Sequence, residues 1–222
     1  MRVLMVAPPG AGKGTQGALI GAHFAIPHIA TGDLLRDHVA RRTELGLAVR
    51  QHLENGALVP DDLVLQMVRQ ALELVAANGG YVLDGVPRNM AQARALYQIG
   101  RELGMTANVA LHLQADDHEL IRRLLARAAL EGRADDTEQV IRRRLEIYRE
   151  VTHPIVAWYG ARGILVSVDA MRPAEQVGRE ILAALEVMKT FVDHVPEKAR
   201  TPVDLTGLGE AFGDRRTTHP PG

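Results

Sequence analysis

A glycine-rich loop near the start of the chain constrains the fold more than any other feature. The run "APPGAGKGTQ" occupies residues 7–16, between a short apolar segment and a helical segment expected from 12 to about 24. In that context glycines let backbone N–H groups close around phosphate oxygens at a helix N-terminus, and Lys13 adds a positive charge. The loop departs from the general pattern G-x-x-x-x-G-K-[ST] at two positions, since Ala7 replaces the first glycine and Gly14 follows the lysine.

Five short apolar runs alternate with longer helical segments, and this alternation is typical of parallel α/β folds. The runs predicted as strands are residues 3–6, 28–30, 81–83, 109–113 and 164–168. An apolar helical stripe follows Pro60, and another helix is expected from about residue 135 to a stop or kink at Pro154. We expect a P-loop domain of the α/β class, with three layers (α/β/α) and a five-stranded parallel sheet.

The composition excludes several classes of protein. The chain has no cysteine, so disulfides, thiolate nucleophiles and cysteine-ligated zinc are excluded. Its nine histidines show no metal-ligand spacing, and we expect no zinc. A net charge of −1 provides no field to attract nucleic acid or anionic membranes. No apolar run approaches the roughly 18 residues that span a bilayer. We therefore expect a soluble, cytoplasmic protein without a nucleic-acid or membrane partner.

The position of the first lysine supports a phosphate site. Lys13 is the only lysine before Lys189 in a chain that otherwise uses arginine. A compact ammonium group fits inside a phosphate-binding loop, whereas a broad guanidinium group does not. We therefore expect Lys13 to contact phosphate.

The segment "PGAGKGTQ" resembles the form that this loop takes in adenylate kinases, whose pattern is G-x-P-G-x-G-K-G-T. Gly14 followed by Thr15 is normal in that family. The resemblance implies a magnesium ion, bound as MgATP, that is held mainly by phosphates and water. Ala7 remains a departure, and it requires backbone angles that an L-residue can adopt.

Two further segments resemble the family's acceptor site. "HIATGDLLR" (28–36) carries Thr31 and Arg36, although from the residues alone Thr31 is equally an ordinary helix N-cap. "GYVLDGVPRNMAQ" (80–92) resembles L-D-G-[FY]-P-R-x-x-x-Q. Its Asp84 ends a predicted strand, where a carboxylate suits a water-mediated magnesium contact. Val86 replaces the usual aromatic residue, which we expect to reduce contact near the acceptor.

Residues 121–163 resemble the short-lid form of the family, in which R-L-L-x-R, G-R-x-D-D and R-L-E-x-Y occur in this order. The resemblance implies two closing elements, an acceptor-binding flap at about 30–59 and a lid at about 126–136. A weaker match, "VDAMRP" (168–173), places Arg172 near the adenine of ATP.

The resemblance assigns three sets of residues. The implied catalytic residues are Lys13, Asp84, Arg88, Arg123, Arg127, Arg133 and Arg144. The implied ATP contacts are Gly10, Ala11, Gly12, Lys13, Gly14, Thr15, Arg123, Arg127 and Arg172. The implied AMP contacts are Thr31, Arg36, Ala57, Leu58, Val59, Gly85, Val86, Pro87, Arg88, Gln92, Arg133 and Arg144. Asp84 is the implied magnesium residue, acting through water.

The expected activity is reversible phosphoryl transfer from MgATP to AMP, with ATP, AMP and ADP as the only partners of a monomer. Two alternatives remain open. The same chemistry on UMP or CMP is suggested by Asn89, although Thr31 and Gln92 favour AMP. A non-catalytic nucleotide-binding protein is suggested by Ala7 and Val86.

The C-terminal part of the chain differs in character from the rest. We expect the catalytic domain to cover residues 1–188. Residues 189–222 are rich in proline and glycine and show no sustained period, so we expect a largely disordered tail.

Overall fold

The sheet has five parallel strands in the order β2-β3-β1-β4-β5. The strands are β1 (Arg2–Val6), β2 (His28–Ala30), β3 (Tyr81–Asp84), β4 (Val109–Gln114) and β5 (Leu165–Asp169). The computed structural model describes residues 1–131 and 137–194. The predicted α/β class, with its five-stranded parallel sheet, is confirmed, and the predicted strand bounds differ from the observed ones by only one residue.

Helices connect the strands and cover both faces of the sheet. They are α1 (Lys13–Phe24), α2 (Thr31–Ala40), α3 (Glu44–Glu54), α4 (Asp61–Val75), α5 (Met90–Glu102), α6 (Asp117–Glu131), α7 (Glu138–Ile147), α8 (Pro154–Gly160) and α9 (Ala174–His194). A 3₁₀ turn (Ala76–Asn78) follows α4, and a π-helical segment (Tyr148–Thr152) joins α7 to α8. None of the helices in the described residues is long and apolar enough to cross a membrane.

The alternation of side chains along β1 divides the interior into two cores. Val3 and Met5 lie in one core, together with residues of α1, α6, α7 and α9. Leu4 and Val6 lie in the other, together with residues of α4, α5 and α8. All four side chains are at most 2% exposed. Because successive strand residues point to opposite faces, β1 needs an unbroken apolar run, and each such side chain contributes about 1.5–3 kcal/mol when buried.

The helix predicted from about residue 135 to Pro154 is divided in the structure. Thr137 caps α7 by accepting a hydrogen bond from the Val140 N–H, and the chain turns π-helical after Ile147. There the N–H of His153 donates to the carbonyl oxygen of Tyr148 at 2.7 Å. Pro154 has no N–H to continue the earlier ladder, and it occupies the first turn of α8, where none is needed.

The boundary predicted at residue 188 falls inside α9. This helix continues to His194, and Phe191 packs against the first core. The prediction of a segment without periodicity is therefore wrong for residues 189–194, because an apolar contact with the domain stabilises one further helical turn. Residues 195–222 lie outside the described part of the chain.

Candidate active site

The loop between β1 and α1 has the geometry of an anion site. Gly10 and Gly12 adopt φ of 85° and 87°, which side chains of L-residues rarely allow. A Cβ at Gly10 would also lie 2.9 Å from Cγ of Leu124. Gly12 is the N-cap of α1 and supplies no capping side chain, and the first turn holds no acidic residue. The first N–H groups of α1 therefore have no side-chain acceptor from the cap and suit a phosphate.

Lys13 folds back onto this loop. Its Nζ donates hydrogen bonds to the carbonyl oxygens of Ala7 and Pro8, both at 2.9 Å. Burial is the main cause that lowers the pKa of Lys13; Asp84 opposes it, Arg88, Arg144 and Arg127 add to it, and the resulting pKa is about 8. Ala7 is not among the described non-glycine residues with positive φ, so the expected tolerance of an L-residue at this position is confirmed.

A cleft of about 450 Å³ opens at the carboxyl ends of the strands, beside this loop. Open α/β sheets bind ligands at this edge, where neighbouring connections leave in opposite directions. The cleft is lined by many of the predicted site residues, namely Gly10, Gly12, Lys13, Gly14, Thr15, Arg36, Leu58, Asp84, Gly85, Pro87, Arg88, Arg123, Arg127 and Arg144.

Arg88 follows β3 and lies half-buried in the cleft. Its Nε donates to the carbonyl oxygen of Gly85 at 2.7 Å, which turns the guanidinium group back toward the sheet edge. Burial lowers the pKa of Arg88 to about 10, and neighbouring Arg144 and Arg36 lower it while Asp84 raises it. The cleft therefore concentrates positive charge and favours an anionic ligand.

Arg123 is held from two sides on α6. Its Nε donates to Oε1 of Glu119 at 2.7 Å, and its NH1 donates to the carbonyl oxygen of Ala170 at 2.9 Å. Hydrogen bonds from Arg122 and Arg123 lower the pKa of Glu119 to about 2, so the carboxylate is ionised at neutral pH. The position of Arg123 in the cleft is thus set by α6 and by the end of β5.

A smaller pocket adjoins the cleft on the side of α2 and α3. It is lined by most of the predicted acceptor residues, namely Thr31, Arg36, Ala57, Leu58, Val59, Gly85, Arg88, Gln92 and Arg144. Thr31 also donates from its Oγ1 to the carbonyl oxygen of Asp84 at 3.0 Å, which joins the start of α2 to the end of β3.

Three predicted contacts are not brought into these cavities. Val86 is fully buried in the second core and lines neither cavity, and its effect on contact with the acceptor stays a prediction. Arg172 pairs with Glu180 of α9 and lies 3.7 Å from Asp169, which draws it away from the cleft. Ala11 is also buried, which leaves only its backbone for a ligand. Arg133 and residues 132–136 of the predicted lid lie outside the described part.

Residues that the sequence did not single out hold the site residues in place. Besides Glu119, they include Thr152, which donates to the carbonyl oxygen of Arg88, and Asp61, which accepts from Gln92. Tyr148 lines the cleft at the start of the π-helical segment. The only sequence feature that pointed to any of these residues is the acidic first turn of α4, which contains Asp61. The helix dipole also explains acidic residues at this position.

The donor set suits a magnesium ion bound chiefly by phosphate. Two carboxylates line the described part of the cleft, and Thr15 offers a hydroxyl. Asp33 pairs with Arg36, whereas Asp84 is the carboxylate whose charge acts on Lys13. In the described residues no group of three or more histidines, cysteines or acidic residues could hold a metal alone. Magnesium keeps several waters and often binds through one carboxylate and substrate phosphates, so these residues fit it.

Comparison with known proteins agrees with this geometry. A sequence model of the adenylate kinase family matches residues 5–164. The chain is 45% identical over 186 residues to an adenylate kinase of Thermobifida fusca, covering 84% of this chain and 98% of that protein. It is 46% identical over 186 residues to an adenylate kinase of Thermus thermophilus, covering 83% and 97%. An adenylate kinase of Synechococcus is 46% identical over 185 residues, covering 83% and 98%.

Proposed function

This chain belongs to the adenylate kinase family and catalyses ATP + AMP ⇌ 2 ADP. We propose that phosphoryl transfer takes place in the cleft beside Lys13. The observation that carries the proposal is the convergence of Lys13, Asp84 and five arginines on one cavity at the carboxyl edge of the sheet. The arginines are Arg36, Arg88, Arg123, Arg127 and Arg144.

The donor nucleotide binds through the loop and the start of α1. The uncapped N–H groups after Gly12 bind phosphate oxygens of ATP, and the Nζ of Lys13 exchanges its carbonyl partners for the outer phosphates. Because burial already disfavours the charged ammonium of Lys13, an anionic partner is favourable there. Arg123 and Arg127 reach the same phosphates from α6, on whose helical face they stand four residues apart.

The acceptor nucleotide binds in the smaller pocket. Arg36, Arg88 and Arg144 line both cavities, and we assign them to the phosphate of AMP at the junction. Thr31, Gln92 and residues 57–59 and 85 also line this pocket, and we assign them to the adenine base of AMP. This arrangement points the two phosphate groups at each other.

The reaction needs no general base. The attacking atom is a phosphate oxygen that is already anionic near neutral pH, so no proton has to be removed. The remaining task is to align two anions that repel each other and to stabilise charge on the moving phosphoryl group. Lys13 and the arginines of the cleft perform both parts. Asp84 would hold magnesium, bound with ATP, through water, and the ion would supply further charge neutralisation.

Two elements close over the substrates and exclude water. The flap is the segment 30–59, with α2 and α3, and the lid is the segment 126–136, which begins within α6 and contains Arg127. A Cβ at Gly56 of the flap would lie 2.8 Å from Cγ1 of Val140, so the flap and α7 already approach each other closely. We expect both elements to gain protection from hydrogen exchange when a bisubstrate analogue binds. Equal protection with and without the analogue would contradict this assignment.

We also propose that the protein acts as a monomer in the cytoplasm. The described residues of one chain already place Lys13, Asp84 and five arginines in one cleft, which supports a single chain as the active unit. The absence of cysteine suits a reducing compartment. Light scattering of the purified protein checks the first part, and fractionation of the source cells checks the second.

Replacing Lys13 by methionine tests the site. We expect the rate of ADP formation from MgATP and AMP to fall by about 10² or more, the scale of losing one charge-stabilising donor. Lys189→Met is the matched control, because this lysine lies exposed on α9 and outside the cleft. Equal turnover of the two variants would contradict the assignment of the cleft.

A further inference from the structure

Asp61 is a polar group at the start of α4 that lies behind the acceptor pocket. Its Oδ1 accepts a hydrogen bond from Nε2 of Gln92 at 2.7 Å and one from Nδ2 of Asn89 at 3.0 Å. Its Oδ2 accepts from the same Nδ2 at 3.1 Å. One carboxylate therefore holds two amide side chains that are distant from it in sequence.

The orientation of the Gln92 side chain is fixed from both ends. Its Oε1 accepts from the backbone N–H of Arg88 at 2.7 Å, while its Nε2 donates to Asp61. A flipped amide would set its oxygen against the carboxylate and its nitrogen against the N–H of Arg88. Both contacts would then be repulsive and unsatisfied, and Gln92 is only 2% exposed, so water cannot replace them.

Asn89 locks the same arrangement. Its Oδ1 accepts from the backbone N–H of Gln92 at 2.7 Å, which caps α5, and its Nδ2 faces Asp61. Asp61, Asn89 and Gln92 are thus joined by hydrogen bonds in which each amide nitrogen donates to the carboxylate of Asp61. We call these three residues the amide clamp.

The clamp leaves one edge of the Gln92 amide for a ligand. A primary amide has two N–H donors and two acceptor sites on its oxygen, and Asp61 and Arg88 occupy one of each. The remaining pair is one donor beside one acceptor, and Gln92 lines the small pocket where we place the acceptor base. This pair complements a base that offers an amino group beside an unprotonated ring nitrogen, as adenine and cytosine do. Guanine and uracil offer a carbonyl beside a ring N–H, which is the reverse order.

We propose that Asp61 is a positioning residue that fixes the orientation of the Gln92 amide. Because this orientation does not complement guanine or uracil, it excludes GMP and UMP from the acceptor pocket. The inference rests on the proposed function, since it requires the base of the acceptor to lie against Gln92. The phosphate held by Arg36 and Arg88 prevents the base from turning over to reverse its order of donor and acceptor.

The test compares Asp61→Asn with Asp62→Asn, using MgATP with AMP, CMP, GMP or UMP. Both variants remove one acidic charge from the first turn of α4, but Asp62 is exposed and has no hydrogen bond to Gln92 among those described. For Asp61→Asn we expect the KM for AMP to rise about tenfold and the ratio of kcat/KM for AMP over GMP to fall about tenfold, since a charge-assisted hydrogen bond is lost. The KM for ATP should stay unchanged, which a general structural defect would not allow. Asp62→Asn should behave as the parent protein.

Two further variants keep the proposal testable if Asp61→Asn folds poorly. Asn89→Ser retains an N-cap oxygen but loses the amide that faces Asp61, and it should shift the same ratio in the same direction. In a Gln92→Ala background, Asp61→Asn should cause no further change in base preference. An unchanged AMP-to-GMP ratio in both Asp61→Asn and Asn89→Ser would overturn the inference. A parent protein that transfers phosphate to no acceptor would instead overturn the proposed function.

Discussion

Thr152 donates a hydrogen bond of 2.7 Å from its Oγ1 to the carbonyl oxygen of Arg88, 64 residues away in the sequence. Thr152 is the last residue of the π-helical segment and is only 7% exposed. A π-turn moves the following side chains around the helix axis, and the hydroxyl of Thr152 at this point faces the backbone of Arg88. The segment thus links the end of α7 to the turn after β3.

Replacing Thr152 by valine, which keeps the shape but removes the hydroxyl, tests this link. We expect a loss of about 1 kcal/mol in the free energy of unfolding, because the carbonyl oxygen of Arg88 loses its donor. We also expect a raised KM for AMP with an unchanged KM for ATP. Thr190→Val is the control, since Thr190 makes a comparable bond to a carbonyl oxygen within α9 at the surface. A KM for AMP that changes equally in both variants would contradict the link.

The lowered pKa of Lys13 predicts proton uptake when nucleotide binds. In the free protein Lys13 has a pKa of about 8, and bound phosphates raise it, so the complex binds more protons than its parts. The uptake should be small at about pH 7 and approach one proton near pH 9, and affinity for ATP should decrease as pH rises above about 8. Calorimetry in buffers of different ionisation enthalpy measures this. Affinity that increases with pH in this range would contradict the assignment.

Gly85 combines a positive φ of 92° with a close approach to Thr31. A Cβ at residue 85 would lie 2.3 Å from Oγ1 of Thr31, so an alanine must displace the residue that begins α2. We expect Gly85→Ala to lose stability and to raise the KM for AMP strongly. Gly79→Ala isolates the backbone contribution, because Gly79 has φ of 69° and a Cβ there would meet no neighbour within 4 Å. That control should lose only about 1–2 kcal/mol and keep its kinetics. Matching kinetic parameters in the two variants would count against the role of Thr31.

Glu119 is expected to act on catalysis more than on stability. Its partner Arg122 is exposed, and ion pairs at the surface contribute little to folding, whereas Arg123 is partly buried. Glu119→Gln should therefore lower the melting temperature only slightly and lower kcat about tenfold, because Arg123 is held less firmly toward the phosphates. Glu138→Gln removes a more exposed partner from Arg142, which does not line the cleft. If both variants retain the parent kcat, Glu119 does not position Arg123.

Two shortened chains test where the catalytic domain ends. A chain that ends at Met188 loses Phe191 and its contact with the first core, and we expect a lower melting temperature. A chain that ends at His194 retains the whole of α9 and should keep both melting temperature and kcat. A chain ending at His194 that melts as low as the shorter one would show that residues 195–222 contribute to the domain.

The sheet and the phosphate loop could be predicted because their signals are local. The apolar run of β1 is followed at once by the glycines that the loop requires, and both patterns lie within fifteen residues. The π-helical segment after Ile147 could not be predicted, since Ile141, Leu145 and Tyr148 keep a helical spacing up to it. The extension of α9 could not be predicted because the prolines and glycines after Val195 dominate the C-terminal segment, whereas Phe191 packs on a core formed by distant residues.

The supporting contacts of the site were also hidden from the sequence. Three of these contacts join segments that no local sequence pattern connects. They are the bond of Gln92 to Asp61, the bond of Arg123 to Ala170, and the bond of Thr152 to Arg88. Asn89 suggested a pyrimidine acceptor, and the structure gives it a different task, the cap of α5. Val86 suggested a weakened acceptor site, and the structure places it in the core.

Phosphorus NMR of the products formed from MgATP with AMP, CMP, UMP or GMP, in separate samples, tests whether the cleft transfers phosphate to AMP. We predict that ADP accumulates fastest with AMP and that inorganic phosphate stays at background, because the cleft positions a second nucleotide and excludes water. Inorganic phosphate that appears at the rate of ATP loss, or transfer to UMP as fast as to AMP, would contradict the account.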